Sequence, residues 1–450
     1  MSAVADWQPR LVALVCNWCT YAGADMAGMA RRTQAPNVRV VRLLCSGRID
    51  PLIIVTAFEQ GADGVIVSGC HPGDCHYVQG NLLARRRLTI FSELMDFLGL
   101  DRRRLQLAWV SASEGVKWSQ VVDEATAAVR EAGPLRGFGR PAAGAPPVRF
   151  PERPSAPRPA PAPGENEATA TALRERAASL LGGGEVAVVA GYAAGSLPGQ
   201  MVPTFVSDAA GTEVLDWNER CLANLSVYLP ELLRRDGRVG MVVKSCDAKA
   251  VLGLVREHQI DRDRVVLIGV PCTGVRPDGR LAAKCYPCAE AVSPIADMTA
   301  GTAPAGPRAV APDPRDAEIA ALAALPADQR WDFWQGQLGR CLRCYACRAV
   351  CPLCYCETCV TDRNRPQWIP VSIDGAGNTA WNVARAMHLA GRCGDCDECA
   401  RACPADIRLD LVNRRVASVL EARFDYRPER AATAPPPLLT FLPTDPDGFR

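Results

Sequence analysis

Apolar positions along the first part of the chain gather into four short runs separated by longer stretches of mixed polarity. The runs are LVALVC (11–16), VRVVRLLC (38–45), DGVIVSGC (63–70) and RLQLAWVS (104–111). Unbroken, β-branched-rich runs of this kind suit strands of a parallel sheet buried on both faces. The intervening stretches, residues 50–61 and 81–98 among them, look helical. Their alternation predicts a doubly wound, Rossmann-like α/β domain. The pattern returns in VAVVAGY (186–192), RVGMVVKSC (238–246) and RVVLIGVPC (264–272), with a helix-like AKAVLGLVREHQI behind the second run. A second α/β domain is expected there.

Proline and glycine divide the chain. Residues 134–164 include GRPAAGAPPVRFPERPSAPRPAPAPG, a composition that buries no core and predicts an extended tether. A shorter break, TAPAGPRAVAPDPRD, spans 302–316, and Pro435, Pro436 and Pro437 mark an unstructured end. The expected organisation is a first domain over 1–133, a linker over 134–167 and the second α/β domain over 168–300. A linker over 301–316, a cysteine-rich unit over 317–425 and a flexible tail over 426–450 follow.

The chain has 21 cysteines, and their placement adds chemistry to this outline. Cys341, Cys344, Cys347 and Cys351 precede Pro352, and Cys393, Cys396, Cys399 and Cys403 precede Pro404. Both runs read C-x2-C-x2-C-x3-C-P, the spacing with which bacterial ferredoxins hold paired [4Fe–4S] clusters. The first three cysteines of such a run grip one cubane, and the fourth serves the other. The expected sets are therefore Cys341, Cys344, Cys347 and Cys403 for one cluster, and Cys393, Cys396, Cys399 and Cys351 for the second. The fold class expected for the whole is α/β for the first two domains with a ferredoxin-like domain carrying two clusters after them. Residues between the runs contribute a helix over about 381–390.

In the first domain Cys16, Cys45 and Cys70 each close a predicted strand, and Cys19 and Cys75 lie in the turns just beyond. The carboxyl ends of a parallel sheet share one edge, where ligands bind. Five thiols thus meet at one rim, and four suffice for a [2Fe–2S] cluster. His71 and His76 flank these cysteines and are expected to hydrogen-bond nearby or cap a turn. Gly69 and Gly73 are expected to let backbone N–H groups approach cluster sulfur. In the second domain Cys246 and Cys272 sit at strand ends, and Cys285 and Cys288 form a C-x2-C pair; these four are candidates for an additional cluster or a zinc site. Cys221, Cys354, Cys356 and Cys359 remain without an assigned role. Arg343, Arg348 and Arg392 interleave with the ferredoxin-type cysteines and are expected to offset cluster charge or dock an acidic partner. Trp331, Trp334, Trp381 and His388 are expected to pack the unit.

Longer strings carry resemblances. CNWCTYAGAD (16–25), LCSGRIDP (44–51), GVIVSGCHPGDCHYVQGN (64–81) and WVSASEG (109–115) resemble the iron–sulfur delta subunit of methyl-viologen-reducing hydrogenase. That resemblance implies a [2Fe–2S] cluster and a relay between a hydrogenase or formate dehydrogenase and a heterodisulfide reductase. WNERCLANL (217–225), VVKSCDAKA (242–250), LIGVPCTGV (267–275) and RCLRCYACRAVCPLCYCETC, preceded by WDFWQG (331–336), are similar to the beta subunits of deazaflavin-reducing hydrogenase and formate dehydrogenase. This second resemblance implies further [4Fe–4S] clusters and FAD, with Lys244 and Lys249 as candidate contacts to the flavin.

Bulk properties narrow the classes. A formal charge of +2 gives no reason to expect nucleic acid as partner. No stretch reaches about 18 apolar residues, so no membrane span and a cytoplasmic location are expected. In a reducing compartment dense cysteines favour metal over disulfides. There is no Ser–His–Asp arrangement and no P-loop, and no catalytic residue is assigned. The function expected is an iron–sulfur electron-transfer subunit of an oxidoreductase complex. A flavin-containing subunit oxidising a diffusible reductant, and a zinc-binding or redox-sensing interaction protein, are the alternatives.

Overall fold

Each of the first four apolar runs forms a strand: β1 (Leu11–Cys16), β2 (Val38–Leu43), β3 (Gly64–Gly69) and β4 (Leu105–Trp109). In this computed structural model they make one all-parallel sheet in the order β2-β1-β3-β4. The connecting helices are α1 (Thr20–Met29), α2 (Pro51–Glu59), α3 (Gly80–Phe97) and α4 (Gly115–Ala132). Ala13, Val15 and Ile66 face Trp118 and Val122 of α4 on one side of the sheet. Leu14, Val65 and Val67 belong to the core that includes Ile54, Phe58, Leu88 and Phe91 of α2 and α3 on the other. β2 departs furthest from burial on both faces. It is an edge strand, and Val40 and Val41 are exposed beside Arg39 and Arg42.

The second α/β domain comprises α5 (Glu165–Gly182), β5 (Val188–Ala194), β6 (Met201–Val206), α6 (Leu229–Arg235), β7 (Val239–Val243), α7 (Ser245–Arg256), β8 (Val265–Gly269) and β9 (Met298–Thr299). Its sheet runs β6-β5-β7-β8-β9, with β6 antiparallel to β5 and the other pairs parallel. β6 and β9 escape the apolar pattern because Pro203 interrupts one edge strand and the other is only two residues long. After these come α8 (Pro314–Ala323), α9 (Ala327–Gly339), α10 (Ala346–Ala349), α11 (Gly375–His388), α12 (Glu398–Arg401) and α13 (Leu409–Phe424). This third unit is helical, with no strand among the described residues. The structure describes residues 7–137, 139, 141–144, 147–162, 164–235, 237–303, 308–428 and 435–449. Parts of both expected linkers and of the tail thus lie outside the described residues.

Where described, the proline-rich segments are extended but not free. Tyr286 donates from its hydroxyl to the Pro154 carbonyl at 2.9 Å, and the Arg158 guanidinium is buried against the second domain. The tail differs from expectation more plainly. Arg86 grips Asp445 through Nε at 2.8 Å and Nη2 at 2.5 Å, and Phe449 stacks on Trp109 with centroids 3.8 Å apart. A buried bidentate ion pair and a ring stack supply what its composition lacks. The three units pack together. Phe97 meets Trp334 at 5.4 Å between ring centroids, Glu93 bonds Arg423 at 2.6 Å, and Glu257 of the second domain bonds Arg392 at 2.7 Å. Among the described residues no helix is long and apolar enough to cross a membrane.

Candidate metal centres

β1 and β3 are neighbours in the first sheet although β2 lies between them in sequence, and the cleft at such a switch point is where open α/β sheets bind ligands. Cys16 ends β1 and Cys70 follows β3, so their sulfurs meet at 3.6 Å. Cys45 and Cys75 approach to 3.9 Å beside them, and Cys19 reaches Cys70 from the start of α1. All five thiols predicted for the rim are there. The hydrogen bond from Cys70 draws the Cys16 thiol down to about 6 against the effect of burial. Burial pushes Cys45 up to about 11.

The flanking histidines are held by protein partners. His71 pairs through Nε2 with Glu114 at 2.7 Å, and His76 stacks on Trp18 at 3.8 Å. A β-carbon at Gly69 would meet Ser46, and Gly73 (φ +96°) serves a turn with open space around it. The glycine that matters is Gly80 at the start of α3, where a β-carbon would lie 2.3 Å from Cys45 Sγ and 3.4 Å from Cys75 Sγ. The second domain holds a comparable rim: Cys246, Cys272, Cys285 and Cys288 line one cavity at the carboxyl ends of β7 and β8.

In the third unit the runs fold as loops, each ending in a one-turn helix, α10 or α12. Cys393, Cys396 and Cys399 share a small cavity with Cys351 of the other run. Burial pushes Cys396 and Cys399 up to about 12, with Cys351 adding to it in both cases. Cys347 is raised to about 11 by burial, with Cys399, Cys341 and Cys403 adding. Cys351 thus shares one void with Cys393, Cys396 and Cys399, and Cys341 and Cys403 lie near Cys347; Cys344 is exposed. Cys354 is hydrogen-bonded to Cys351, a neighbour the spacing did not assign, while Cys356 is exposed. Among the described residues no three ligating side chains are drawn together as around a single ion; what the four thiols of the crossed set share is a void.

Charge around these sets is the feature that spacing did not reveal. Arg343 bonds Asn378 at 2.8 Å, Arg348 pairs with Asp362 at 2.9 Å and Arg392 with Glu257, so each interleaved arginine has a protein partner. Arg385 has no such side-chain partner among the described residues. It lies on α11, 3% exposed, with Nη2 donating to the Cys347 carbonyl at 3.0 Å and Nε without an acceptor among the described residues. Burial opposes its charge, yet Cys399, Cys351, Cys354 and Cys347 more than offset this and hold its pKa above the ordinary value. A guanidinium buried without a carboxylate is costly unless something anionic faces it. Asp395, Asp397, Glu398 and Asp410 also line that cavity, but they pair with Arg315, Arg401 and Arg408; an iron–sulfur cluster with thiolate ligands is an anion that the four cysteines of the cavity suit.

Lys244, expected as a flavin contact, is committed elsewhere. It is fully buried, with Nζ 3.0 Å from Asp247 and 2.8 Å from the Ala223 carbonyl, and it also bonds the Tyr192 hydroxyl. Lys249 is half-buried on α7, its β-carbon 3.2 Å from where one at Gly394 would sit. Trp331, Trp334 and Trp381 are buried and pack the unit.

Comparison with known proteins turns on the first domain. Residues 11–133 match the family described as methyl-viologen-reducing hydrogenase, delta subunit. The D-type iron-sulfur subunit of the F420-non-reducing hydrogenase of Archaeoglobus profundus is 50% identical over 131 residues, which is 29% of this chain and 96% of the relative. The chain belongs to this delta-subunit family. A D-type vhc iron-sulfur subunit of the F420-non-reducing hydrogenase from Methanococcus voltae is 45% identical, over 29% of this chain and 90% of that protein. The delta-subunit domain also resembles part of a larger protein. The A-type subunit of the ferredoxin/F(420)H(2)-dependent CoB-CoM heterodisulfide reductase of Methanosarcina acetivorans is 43% identical over 127 residues, 28% of this chain and 16% of that protein. The five rim cysteines lie inside the delta-subunit domain; the other cysteine sets lie beyond it.

Proposed function

We propose that the chain is an electron-transfer subunit of a cytoplasmic oxidoreductase complex, its cysteine sets holding iron–sulfur clusters. Four of the five rim thiols of the delta-subunit domain hold a [2Fe–2S] cluster, and the two crossed sets of the third unit hold [4Fe–4S] clusters. The partners are a hydrogenase-like or formate dehydrogenase-like subunit on one side and a heterodisulfide-reductase-like subunit on the other. Support for the partners comes from the relatives, whose names place them in hydrogenases and heterodisulfide reductases. The observation that carries the cluster reading is Arg385, a buried cation faced by thiols and, among the described residues, bonded to no carboxylate.

Iron–sulfur clusters supply one-electron transfer at potentials set by burial, nearby charge and hydrogen bonds to sulfur. The chain's residues provide those settings. Gly47 N–H donates to Cys45 Sγ at 3.4 Å, Asp395 N–H to Cys393 Sγ at 3.4 Å and Asn413 Nδ2 to Cys399 Sγ at 3.3 Å. Such donors stabilise negative charge on sulfur and favour the reduced state. Trp334 and Trp381 keep water from the third unit's interior. These settings serve a relay, in which electrons pass and no substrate bond is made or broken.

The test is anaerobic isolation of the full chain and its Cys399→Ser variant, with electron paramagnetic resonance after reduction. Loss of one [4Fe–4S] signal with the other signals retained supports the assignment. A wild-type protein that carries zinc and no acid-labile sulfide sinks it.

A second reading is favoured by the open groove between the first and third units. Arg256 of the second domain also lines it, its buried Nε and Nη2 without acceptors among the described residues, and Tyr355 and Trp368 supply aromatic faces. A planar ligand bearing phosphate, FAD in particular, suits that lining better than it suits Lys244. Flavin released by acid from the native chain supports this reading, and colourless supernatant refutes it.

A further inference from the structure

Large apolar side chains that face outward ring the five-thiol rim of the first domain. Trp18, Leu44, Tyr77 and Val78 are all exposed, and they belong to the loops that carry Cys16, Cys45 and Cys75. Contacts join them into one surface. The Trp18 indole N–H donates to the Tyr77 hydroxyl at 3.3 Å, and its ring stacks on His76. Leu44 stands beside Cys16, whose thiol donates to the Leu44 carbonyl at 3.9 Å. Tyr21, near the start of α1, carries the collar toward β2, where the Arg42 guanidinium sits 5.0 Å from its ring centre. A lone exposed tryptophan or leucine is ordinary on a protein surface, whereas a continuous aromatic patch marks a place where something docks.

Two further features belong to this face. Val78 holds φ at +67°, with its N–H bonded to the Cys75 carbonyl at 2.8 Å. A β-branched residue is strained in that region of backbone space. Its side chain is 74% exposed, so no core packing within the first domain offsets the strain. The second feature is charge. Residues 17–48 contain five arginines, all exposed, and one acidic residue, Asp25. Arg39 and Arg42 lie on β2, the open edge of the sheet, beside exposed Val40 and Val41, and Arg48 follows Cys45. Among the described residues none of the five arginines is bonded to a carboxylate. Tryptophan, tyrosine and arginine are the residues that protein interfaces concentrate.

We propose that this face docks the acidic surface of a second redox protein. The collar of Trp18, Leu44, Tyr77 and Val78 makes the contact, and the arginines of the β2 edge steer the approach. The occupant follows from charge and position. A basic face attracts an acidic one and repels a second copy of itself. The collar surrounds the thiols assigned to the [2Fe–2S] cluster, so a partner seated on it lies directly against that rim. Each encounter passes one electron: one cluster is oxidised, the other is reduced, and no bond is made. A small apolar contact with a charged surround suits a complex that must form and part at each turnover. The proposal rests on the electron-transfer reading and adds which face, and which kind of partner, serves it.

The test uses the full chain purified without oxygen, with a plant-type ferredoxin, a small acidic [2Fe–2S] protein, as the probe. Whichever protein has the lower potential is reduced beforehand, and electron transfer to the other is followed by stopped-flow absorbance. The wild-type second-order rate is expected to fall as salt rises from about 0.05 M to about 0.5 M. Arg39→Glu/Arg42→Glu is expected to slow transfer at low salt by about tenfold or more and to remove that salt dependence. Val78→Gly relieves the strain and removes the side chain, and is expected to slow transfer about fivefold; a residue serving only its own turn would leave the rate unmoved. The three forms are compared at matched iron content and [2Fe–2S] paramagnetic signal. Rates indifferent to both substitutions overturn the proposal, because electrons then enter elsewhere. Wild-type dimers that the charge reversal splits also overturn it, by giving the face to a second copy. Failure of the wider reading looks different: the wild type then holds no cluster and exchanges no electron.

Discussion

Arg385→Met isolates the charge that the third unit buries. Methionine keeps much of the length and apolar stem of the side chain and removes the guanidinium. In the native chain that group is 3% exposed, has one hydrogen bond to a carbonyl, and lies among Cys347, Cys351, Cys354 and Cys399. Two opposite effects follow. Without iron the arginine is a buried cation with no carboxylate bond among the described residues, so the substitution is neutral or stabilising by about 1–4 kcal/mol. With clusters bound, a favourable interaction of about 1–3 kcal/mol with the reduced state is lost, which is about 40–130 mV for a one-electron couple. Because Arg385 borders thiols of both crossed sets, both [4Fe–4S] potentials are expected to fall, and Arg385→Lys to restore much of the drop. The assay is a redox titration of anaerobically purified full-length protein followed by paramagnetic resonance, at matched iron content. Potentials that stay put or rise at full iron occupancy refute the charge argument.

Three other perturbations probe separate parts of the structure. Gly80→Ala places a carbon 2.3 Å from Cys45 Sγ, so iron analysis should show the [2Fe–2S] iron, about two atoms, lost while the cubanes remain. Glu59, held up to about 7 by burial with Asp374 adding and Arg343 opposing, binds its proton more tightly in the folded state than in the unfolded one. It therefore favours folding at low pH and loses that contribution as pH rises from about 4.3 to about 7. Glu59→Gln should accordingly be more stable than wild type at pH 8 by about 1–2 kcal/mol after allowance for partial exposure. Denaturation midpoints that differ equally at pH 5 and pH 8 contradict this. Asp445→Asn leaves Arg86 buried without its carboxylate and is expected to cost about 3 kcal/mol and open the tail to limited proteolysis; a protease-resistant tail argues otherwise.

The elements most legible in the sequence are those whose signal is local. Runs such as LVALVC and GVIVSG become β1 and β3 within a residue or two of where their apolar pattern places them, because a strand between two helix layers must be apolar throughout. Placing Cys16 and Cys70 at strand ends was enough to bring them together, since a parallel sheet fixes which ends share an edge. The crossed grouping of Cys351 with Cys393, Cys396 and Cys399 was legible from repeated spacing alone. What the sequence hid depends on distant contacts. Arg385 reads as one more polar residue on a helix until α11 is seen against both cysteine loops. Lys244 reads as a solvated or phosphate-binding lysine until Asp247, one turn along α7, is found to claim it. Gly80 gains meaning only once Cys45 and Cys75 pack over it. The proline-rich stretch announces an extended conformation but not that Arg158 anchors it, and the tail's anchors, Asp445 and Phe449, find their partners far back in the first domain.

The central claim is that convergent thiols grip iron and sulfide instead of lying idle in cores. Its most direct measurement is the iron and acid-labile sulfide content of the full chain isolated without oxygen, with Mössbauer spectra to sort the cluster types. One [2Fe–2S] and two [4Fe–4S] clusters require about ten iron and ten sulfide per chain. Native protein with neither iron nor labile sulfide contradicts the account.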